Sequence, residues 1–312
     1  MEPMTRRTFV STAAGAAALA APRPTRDDIS LAAWSLNRSF FEGKRWKNLD
    51  LPRIVREQFD INGIEFVNQF FENPTLPYLN QLKKNGDASG VRFVLIMVDS
   101  EGDMSARDRA ERMTAAVAHR KWVDIAHYLG CHAIRCNLGG PRQNWAEDKD
   151  LVSRAAESFK NLVEYAHGAD LNVVIENHGG ASSNADVLVA LMKAVNDPSF
   201  GTLPDFGNTN AGDDREQVIR RLLPYAKGIS VKAAWVEDGT HPGWDLEKLI
   251  GICREAGYHG FWGIESSYGR TGQGGGQRAA AAKLTPDQIW EQEVKGVQLT
   301  KSVLARTVLK QA

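Results

Sequence analysis

Residues 172–180 read Asn-Val-Val-Ile-Glu-Asn-His-Gly-Gly. A short apolar run ends in a carboxylate and an imidazole, and two glycines follow it. Apolar residues recur at helical spacing before this run, over residues 153–169, and after it, over 184–195. A buried strand between two amphipathic helices is the repeating unit of a parallel α/β sheet.

The same unit recurs along the rest of the chain. Eight apolar runs are predicted strands, at residues 29–36, 63–67, 92–98, 133–138, 172–177, 201–205, 228–234 and 261–266. Predicted helices lie at 51–59, 107–129, 153–169, 184–195, 215–223 and 246–256, and a last one begins at Thr285, a good N-cap residue with Gln288 at the capping-box position.

Strict alternation of strand and helix predicts parallel strands joined by right-handed crossovers. Eight such units favour an α/β fold of the closed (β/α)8 TIM-barrel type, in a single domain. No GxGxxG pattern follows the first strand, which argues against a dinucleotide-binding open sheet.

The N-terminus differs from the rest of the chain. The pair Arg6-Arg7 precedes an Ala-rich apolar run of thirteen residues, 9–21. This pattern predicts a twin-arginine-type signal peptide and linker over residues 1–25, ahead of a barrel over 26–312. A membrane span needs about 20 apolar residues. We therefore expect export, to the periplasm or beyond, without stable membrane anchoring after cleavage; an amphipathic helical extension is the alternative.

Composition narrows the class of partner. The chain has 38 Lys+Arg and 38 Asp+Glu, a formal net charge of +0. A nucleic-acid binder would carry a basic excess, so no nucleic-acid partner is expected. The chain has an odd number of cysteines and no CxxC pair; the three are Cys131, Cys136 and Cys253. Buried free thiols are expected, although the first two could meet in a disulfide.

Polar side chains recur near the carboxyl ends of the predicted strands, where burial is costly unless they serve a purpose. They are Glu65, Arg135, Asn137, Glu176, His178, Asp205, Lys232 and Glu265. Because side chains alternate along a strand, an inward Glu176 implies an inward His178. Three carboxylates on neighbouring strands repel one another and need a cation or protons. A divalent metal such as Mn²⁺ or Mg²⁺ suits such oxygen ligands.

Four short segments carry a family resemblance. They are Gly63-Ile64-Glu65, Gly243-Trp244-Asp245, Gly257-Tyr258-His259-Gly260 and Gly263-Ile264-Glu265. Together with the acidic strand ends they resemble the xylose-isomerase-like TIM-barrel superfamily of sugar (phosphate) isomerases and epimerases, from about residue 29 to the C-terminus. That superfamily includes ketose 3-epimerases, inosose dehydratases and isomerases, and endonuclease IV.

The resemblance implies a metal site with one departure. In the epimerase branch a Glu, an Asp, a His and a Glu on strands 5 to 8 bind one divalent ion, and Glu176, Asp205 and Glu265 match three of them. Lys232 stands where the His is expected. Three interpretations remain open: a neutral lysine beside the metal, a nitrogen ligand supplied by His178 instead, or a site without tight metal in which the ammonium neutralises the carboxylates.

The resemblance also implies proton abstraction next to a carbonyl on a carbohydrate. The metal or Lys232 would polarise the carbonyl, while Glu176 and Glu265 would act as base and acid. Export favours an unphosphorylated sugar or keto-sugar. The alternatives are a lyase or dehydratase on the same site and a non-catalytic sugar-binding barrel. A nuclease is disfavoured because the histidines of that branch are lacking.

Several other residues are candidates for holding the carbohydrate, a small-molecule substrate. Trp34 and Trp235 would stack on a sugar ring or belong to the core, and His241 lies in a loop that can reach the barrel mouth. The remaining candidates are Glu65, Arg135, Asn137 and His178. Two long loops, 139–149 and the Gly-rich 269–284, follow strands, and the second is a substrate lid or a surface excursion. A homo-oligomer is compatible with the sequence.

Overall fold

The computed structural model describes residues 28–141, 144–269 and 284–309. Its strands are β1 Asp28–Ala32, β2 Gly63–Val67, β3 Arg92–Val98, β4 Ala133–Cys136, β5 Asn172–Glu176, β6 Phe200–Leu203, β7 Ile229–Trp235 and β8 Phe261–Tyr268. Its helices are α1 Asn37–Phe41, α2 Leu51–Phe59, α3 Leu76–Ser89, α4 Arg109–Leu129, α5 Leu151–His167, α6 Ala185–Val195, α7 Arg215–Leu222, α8 Leu246–Glu255 and α9 Pro286–Thr307.

The strands form one parallel sheet in the order β6-β5-β4-β3-β2-β1-β8-β7. The two end strands approach each other through isolated parallel bridges, Thr202 to Ala226 and Asp205 to Ser230. At this seam the Ser230 N–H donates to Pro204 O over 2.9 Å, and the Phe206 N–H donates to Ser230 O over 3.1 Å. The predicted (β/α)8 barrel in a single domain is confirmed.

Strand ends differ from the predictions where the chain turns early. β1 stops at Ala32, and a 3₁₀ turn, Ala33–Leu36, takes the residues predicted to complete it. β4 ends at Cys136 and β6 at Leu203, each two residues before its predicted end. Helix α3 was not predicted; its apolar residues are sparse and Gly86 lies within it.

Helix starts are fixed by side chains that accept backbone N–H groups. The capping residues are Asp108, Asn184, Asp214, Asp245 and Thr285. The predicted capping box is confirmed, since Thr285 N–H donates to Gln288 Oε1 over 2.9 Å and Gln288 N–H donates to Thr285 Oγ1 over 3.3 Å. In this fold the helix starts and the strand ends meet at one rim, which places any site there.

The apolar core surrounds the barrel, and all three cysteines are buried in it as free thiols. Within the described ranges, none of the helices has the length and apolar character to cross a membrane. The predicted signal peptide and most of the Gly-rich loop, residues 270–283, lie outside the described residues.

Candidate active site

Three acidic side chains converge at the carboxyl ends of their strands. Glu176 ends β5, Asp205 follows β6 and Glu265 lies in β8. One carboxylate oxygen from each lies within 4.8 Å of the others. Among the described residues, no other group of three Asp, Glu, His or Cys side chains comes together in this way. The predicted convergence of the three carboxylates is therefore present.

Glu176 is fully buried and held from two sides. Its Oε1 accepts a hydrogen bond from Nδ2 of Asn208 over 2.8 Å. Its Oε2 lies 3.0 Å from Nε of Arg135, an ion pair in which neither atom has a well-directed hydrogen bond within the described residues. Burial raises the pKa of Glu176, and the Arg135 and Lys232 charges only partly offset this.

Asp205 is held by the turn that follows it. Its Oδ1 accepts the backbone N–H groups of Gly207 and Asn208 over 2.7 and 2.8 Å, and its Oδ2 accepts Oγ–H of Ser230 over 2.7 Å. Burial raises the pKa of Asp205 to about 7, although the Lys232 ammonium acts in the opposite direction. Burial therefore favours the protonated form of this carboxyl group more than water would.

Lys232 lies opposite Glu265 in the register of β7 and β8. Its Nζ is 2.5 Å from Glu265 Oε1 and 3.6 Å from Asp205 Oδ2. Burial opposes the charge on Lys232, but Asp205, Glu265 and Glu176 raise its pKa above the ordinary value. These contacts favour an ammonium in contact with the acidic cluster, and the interpretation of a neutral lysine beside a metal stays a prediction.

Asn208 connects two of the acidic residues, and the sequence analysis did not identify it. Besides its contacts to Glu176 and Asp205, its backbone carbonyl accepts Nδ2–H of Asn177 and Oγ–H of Ser183, each over 2.9 Å. The sequence feature that could have identified Asn208 is its position, three residues after Asp205, where the chain must turn over the barrel mouth.

A second polar group lies beside Glu176. Nη1 of Arg135 donates to Oδ1 of Asp99 over 2.7 Å, and Nδ2 of Asn137 donates to the same oxygen over 2.7 Å. Burial opposes ionisation of Asp99, but Arg135 lowers its pKa below the usual value. Asp99 is thus an ionised partner that orients Arg135 and Asn137, both predicted as substrate contacts.

Glu65 lies in the barrel interior. Oγ of Ser30 donates to its Oε1 over 2.6 Å, and burial raises the pKa of Glu65 to about 7. Gly263 makes space for it, because a Cβ at that position would lie 2.3 Å from Glu65 Oε1. Glu65 is 2% exposed, about as buried as Arg135 and Glu176, and its role as a substrate contact stays a prediction.

Two further candidates are not part of the converging group. His178 is exposed, beside Gly179, whose φ is +91°, and its ring does not join the converging group. Its expected role as a metal ligand is therefore not supported by this geometry. Trp235 is buried with Nε1 donating to Oγ1 of Thr300 in α9 over 2.9 Å, so its indole faces the outer helix and belongs to the core.

Trp34 lies in the 3₁₀ turn after β1, and His241 lies in the loop after β7. The Trp34 ring contacts Phe70 at 5.4 Å between centroids and stays partly exposed. The His241 ring lies between Trp235 and Trp244, at 5.4 and 4.5 Å, and neither of its nitrogens has a hydrogen-bond partner among the described residues. Both positions remain predicted substrate contacts.

The three carboxylates fit a divalent cation in donor type and spacing. Oxygen ligands lie about 2.0–2.6 Å from such ions, so oxygens sharing one ion are at most about 4–5 Å apart. The limit of 4.8 Å observed here agrees with this geometry. Burial is the main cause of the raised pKa values of Asp205 and Glu176, and a cation at this point would stabilise their ionised forms. The feature that opposes a cation is the Lys232 ammonium.

The fold and the site together define a (β/α)8 barrel with an acidic cluster at its C-terminal mouth. Residues 56–296 match the family model described as xylose isomerase-like TIM barrel, and the chain belongs to that family. No curated protein sequence matches the chain.

Solved structures share the fold at low sequence identity. An L-ribulose 3-epimerase superposes with a TM-score of 0.70 at 13% identity, covering 91% of this chain and 95% of that one. A D-allulose 3-epimerase from Methylomonas sp. gives 0.67 at 12%, covering 92% and 100%. The IOLI protein with a bound zinc atom gives 0.66 at 12%, covering 91% and 98%.

Proposed function

We propose that this protein is a carbohydrate isomerase or epimerase that removes a proton next to the carbonyl of an unphosphorylated sugar or keto-sugar. The observation that carries the proposal is the meeting of three carboxylate oxygens within 4.8 Å beside the Lys232 ammonium. Similar structures include ketose 3-epimerases, which supports this class of reaction. An exported location, proposed from the N-terminal sequence, favours the unphosphorylated substrate.

The two glutamates are suited to different parts of a proton transfer. Burial opposes ionisation of Glu265, but Lys232 outweighs it and lowers the pKa of Glu265, so this group is present as the carboxylate, the form that a base requires. The pKa of Glu176 is raised, so this carboxyl group holds a proton more readily. Neighbouring groups with oppositely shifted pKa values are the usual basis for a base and an acid in one site.

Glu176, Asp205 and Glu265 are the residues that would hold a divalent metal, Mn²⁺ or Mg²⁺. When bound, such an ion polarises a carbonyl oxygen and stabilises the negative charge that develops there. Lys232 supplies a fixed positive charge at the same place, and its ammonium can donate a hydrogen bond to the same substrate oxygen. Arg135 and Asn137, oriented by Asp99, would bind hydroxyl groups of the substrate.

The test is solvent-deuterium exchange. Purified protein is incubated in D₂O with fructose, tagatose, ribulose and 3-keto-glucose, and proton NMR follows loss of the signal next to the carbonyl. We expect exchange with at least one sugar, loss of exchange in Glu176→Gln and Glu265→Gln, and retention in Glu255→Gln, a control whose side chain is 71% exposed. The products distinguish epimerisation, isomerisation and elimination.

Chelation tests the metal separately. We expect EDTA to abolish exchange and Mn²⁺ to restore it. If no sugar in the panel exchanges its proton, or if both glutamine variants exchange like wild type, proton abstraction at this site is refuted and a sugar-binding barrel becomes the better explanation.

A further inference from the structure

Five aromatic rings are packed together where the chain leaves β1 and β2. Phe70 is fully buried at their centre and its ring stacks on Phe40, with centroids 4.6 Å apart and planes at 16°. The rings of Trp34, Phe41 and Trp46 meet Phe70 at 5.4, 5.0 and 5.7 Å. We call this set the rim aromatic cluster.

The cluster is not closed like a core. Phe41 remains 39% exposed, one of four large hydrophobic side chains exposed within the described ranges. Trp34 and Phe40 are only partly buried. Packing in the core accounts for the burial of Phe70 and Trp46. It does not account for the exposed ring of Phe41 beside two partly exposed aromatic rings.

The cluster lies next to the acidic site. Ser35, which follows Trp34, donates from Oγ to the carbonyl of Ile264 and accepts the N–H of Ser266, each over 3.0 Å. These two residues flank Glu265 in β8. The segment that carries the aromatic rings is therefore bonded to the backbone on both sides of the proposed base.

The chemistry of the two sides of the mouth differs. Arg135, Asn137 and Lys232 present charged and hydrogen-bonding groups, which suit a sugar ring. The rim aromatic cluster presents ring surface, which suits an apolar or aromatic group through burial of apolar area and ring stacking.

We propose that the rim aromatic cluster is a subsite for an apolar group attached to the sugar, so that keto-sugars carrying an aryl aglycone bind more tightly than keto-sugars without one. This inference rests on the proposed function for the position of the sugar. Phe41 forms the exposed face of the subsite, and Trp34 precedes Ser35, which is bonded on both sides of Glu265.

The experiment measures binding, so that it does not depend on turnover. Isothermal titration of the full chain compares phenyl β-D-glucopyranoside with methyl β-D-glucopyranoside. We expect the phenyl glycoside to bind at least about fivefold more tightly, and Phe41→Ser to remove that preference. Val117→Ser is the matched control, since Val117 is 53% exposed on α4, away from the cluster.

Equal affinities for the two glycosides would overturn the proposal, as would no detectable binding of either. So would a preference that survives in Phe41→Ser, or one that Val117→Ser loses to the same extent. Circular dichroism checks that both variants are folded. Deuterium exchange with free ketoses tests the proposed reaction independently, so failure of the subsite leaves that result intact.

Discussion

Replacing Lys232 by methionine removes a positive charge from the acidic cluster without a large change in volume. The Nζ atom lies 2.5 Å from Glu265 and 3.6 Å from Asp205. Two unit charges about 4 Å apart interact by about 4 kcal/mol at an effective dielectric constant of about 20. Breaking a buried pair costs about 3–5 kcal/mol. Asp205 limits the loss of stability, because its pKa is already about 7 and it can take up a proton.

We expect Lys232→Met to fold and to lose turnover by about 10²–10³-fold, the usual effect of removing one group that stabilises a developing oxyanion. The measurement is the rate of deuterium exchange, with circular dichroism to check the fold. Lys227→Met is the control, because Lys227 bonds Pro198 O at the surface at the other end of the barrel. Full activity in Lys232→Met would refute the electrostatic role.

Lys232→His should act in the opposite direction on metal affinity. The change removes a like charge beside the cation and adds an imidazole nitrogen, which suits Mn²⁺. We expect Mn²⁺ to bind at least about tenfold more tightly, a change of about 1.4 kcal/mol. Calorimetric titration of wild type and both variants measures this. If Lys232→His binds Mn²⁺ no better than wild type, another group already completes the site and the role given to this lysine is wrong.

Asn208→Ala removes the amide between two of the acidic side chains, so steady-state kinetics should show kcat falling about tenfold with little change in KM; an unchanged kcat would contradict this. Glu293 is buried with its pKa raised to about 7 from 4.5. The stability linked to protonation of Glu293, up to about 3 kcal/mol, is fully present below pH 4.5 and is lost as the pH rises through 7. Glu293→Gln should therefore reduce the change in the free energy of unfolding between pH 5 and 8, measured by urea titration. The same pH dependence in the variant and in wild type would argue against this. Gly263→Ala should destabilise by about 1–3 kcal/mol in the same assay, because its Cβ meets Glu65; Gly251→Ala, with nothing within 4 Å, is the control and should cost nothing. N-terminal sequencing of the native exported protein should find the first 21 or so residues removed, and a sequence starting at the first residue would refute the signal peptide.

The acidic cluster could be predicted because it depends on local pattern and topology alone. Glu176, Asp205 and Glu265 each follow a short apolar run, and parallel strands bring such positions to one rim. Period-two alternation placed Lys232 inward. The same alternation makes Trp235, three residues later, face outward, so its packing against α9 was available from the sequence.

Other parts of the site depend on loop conformation, which the strand pattern does not contain. Asn208 acts through both its side chain and its backbone, because the turn after Asp205 folds back over the mouth. His178 lies two residues beyond the end of β5 and is not among the converging residues. The ion pair of Arg135 with Glu176 joins two strands through side chains, so pairing could not be read from either strand alone.

The seam between β6 and β7 has a mechanical consequence. The other neighbouring strands are joined by hydrogen-bonded ladders, whereas β6 and β7 are joined by isolated bridges. Asp205 forms one of these bridges with Ser230 through its backbone, and its side chain accepts a hydrogen bond from the same serine. A ligand bound by that carboxylate would therefore stabilise the contact between β6 and β7 as well as occupy the barrel mouth. The stiffness of this wall, seen as slowed amide hydrogen exchange at Phe206 and Ser230, would report occupancy of the site without any label on the ligand.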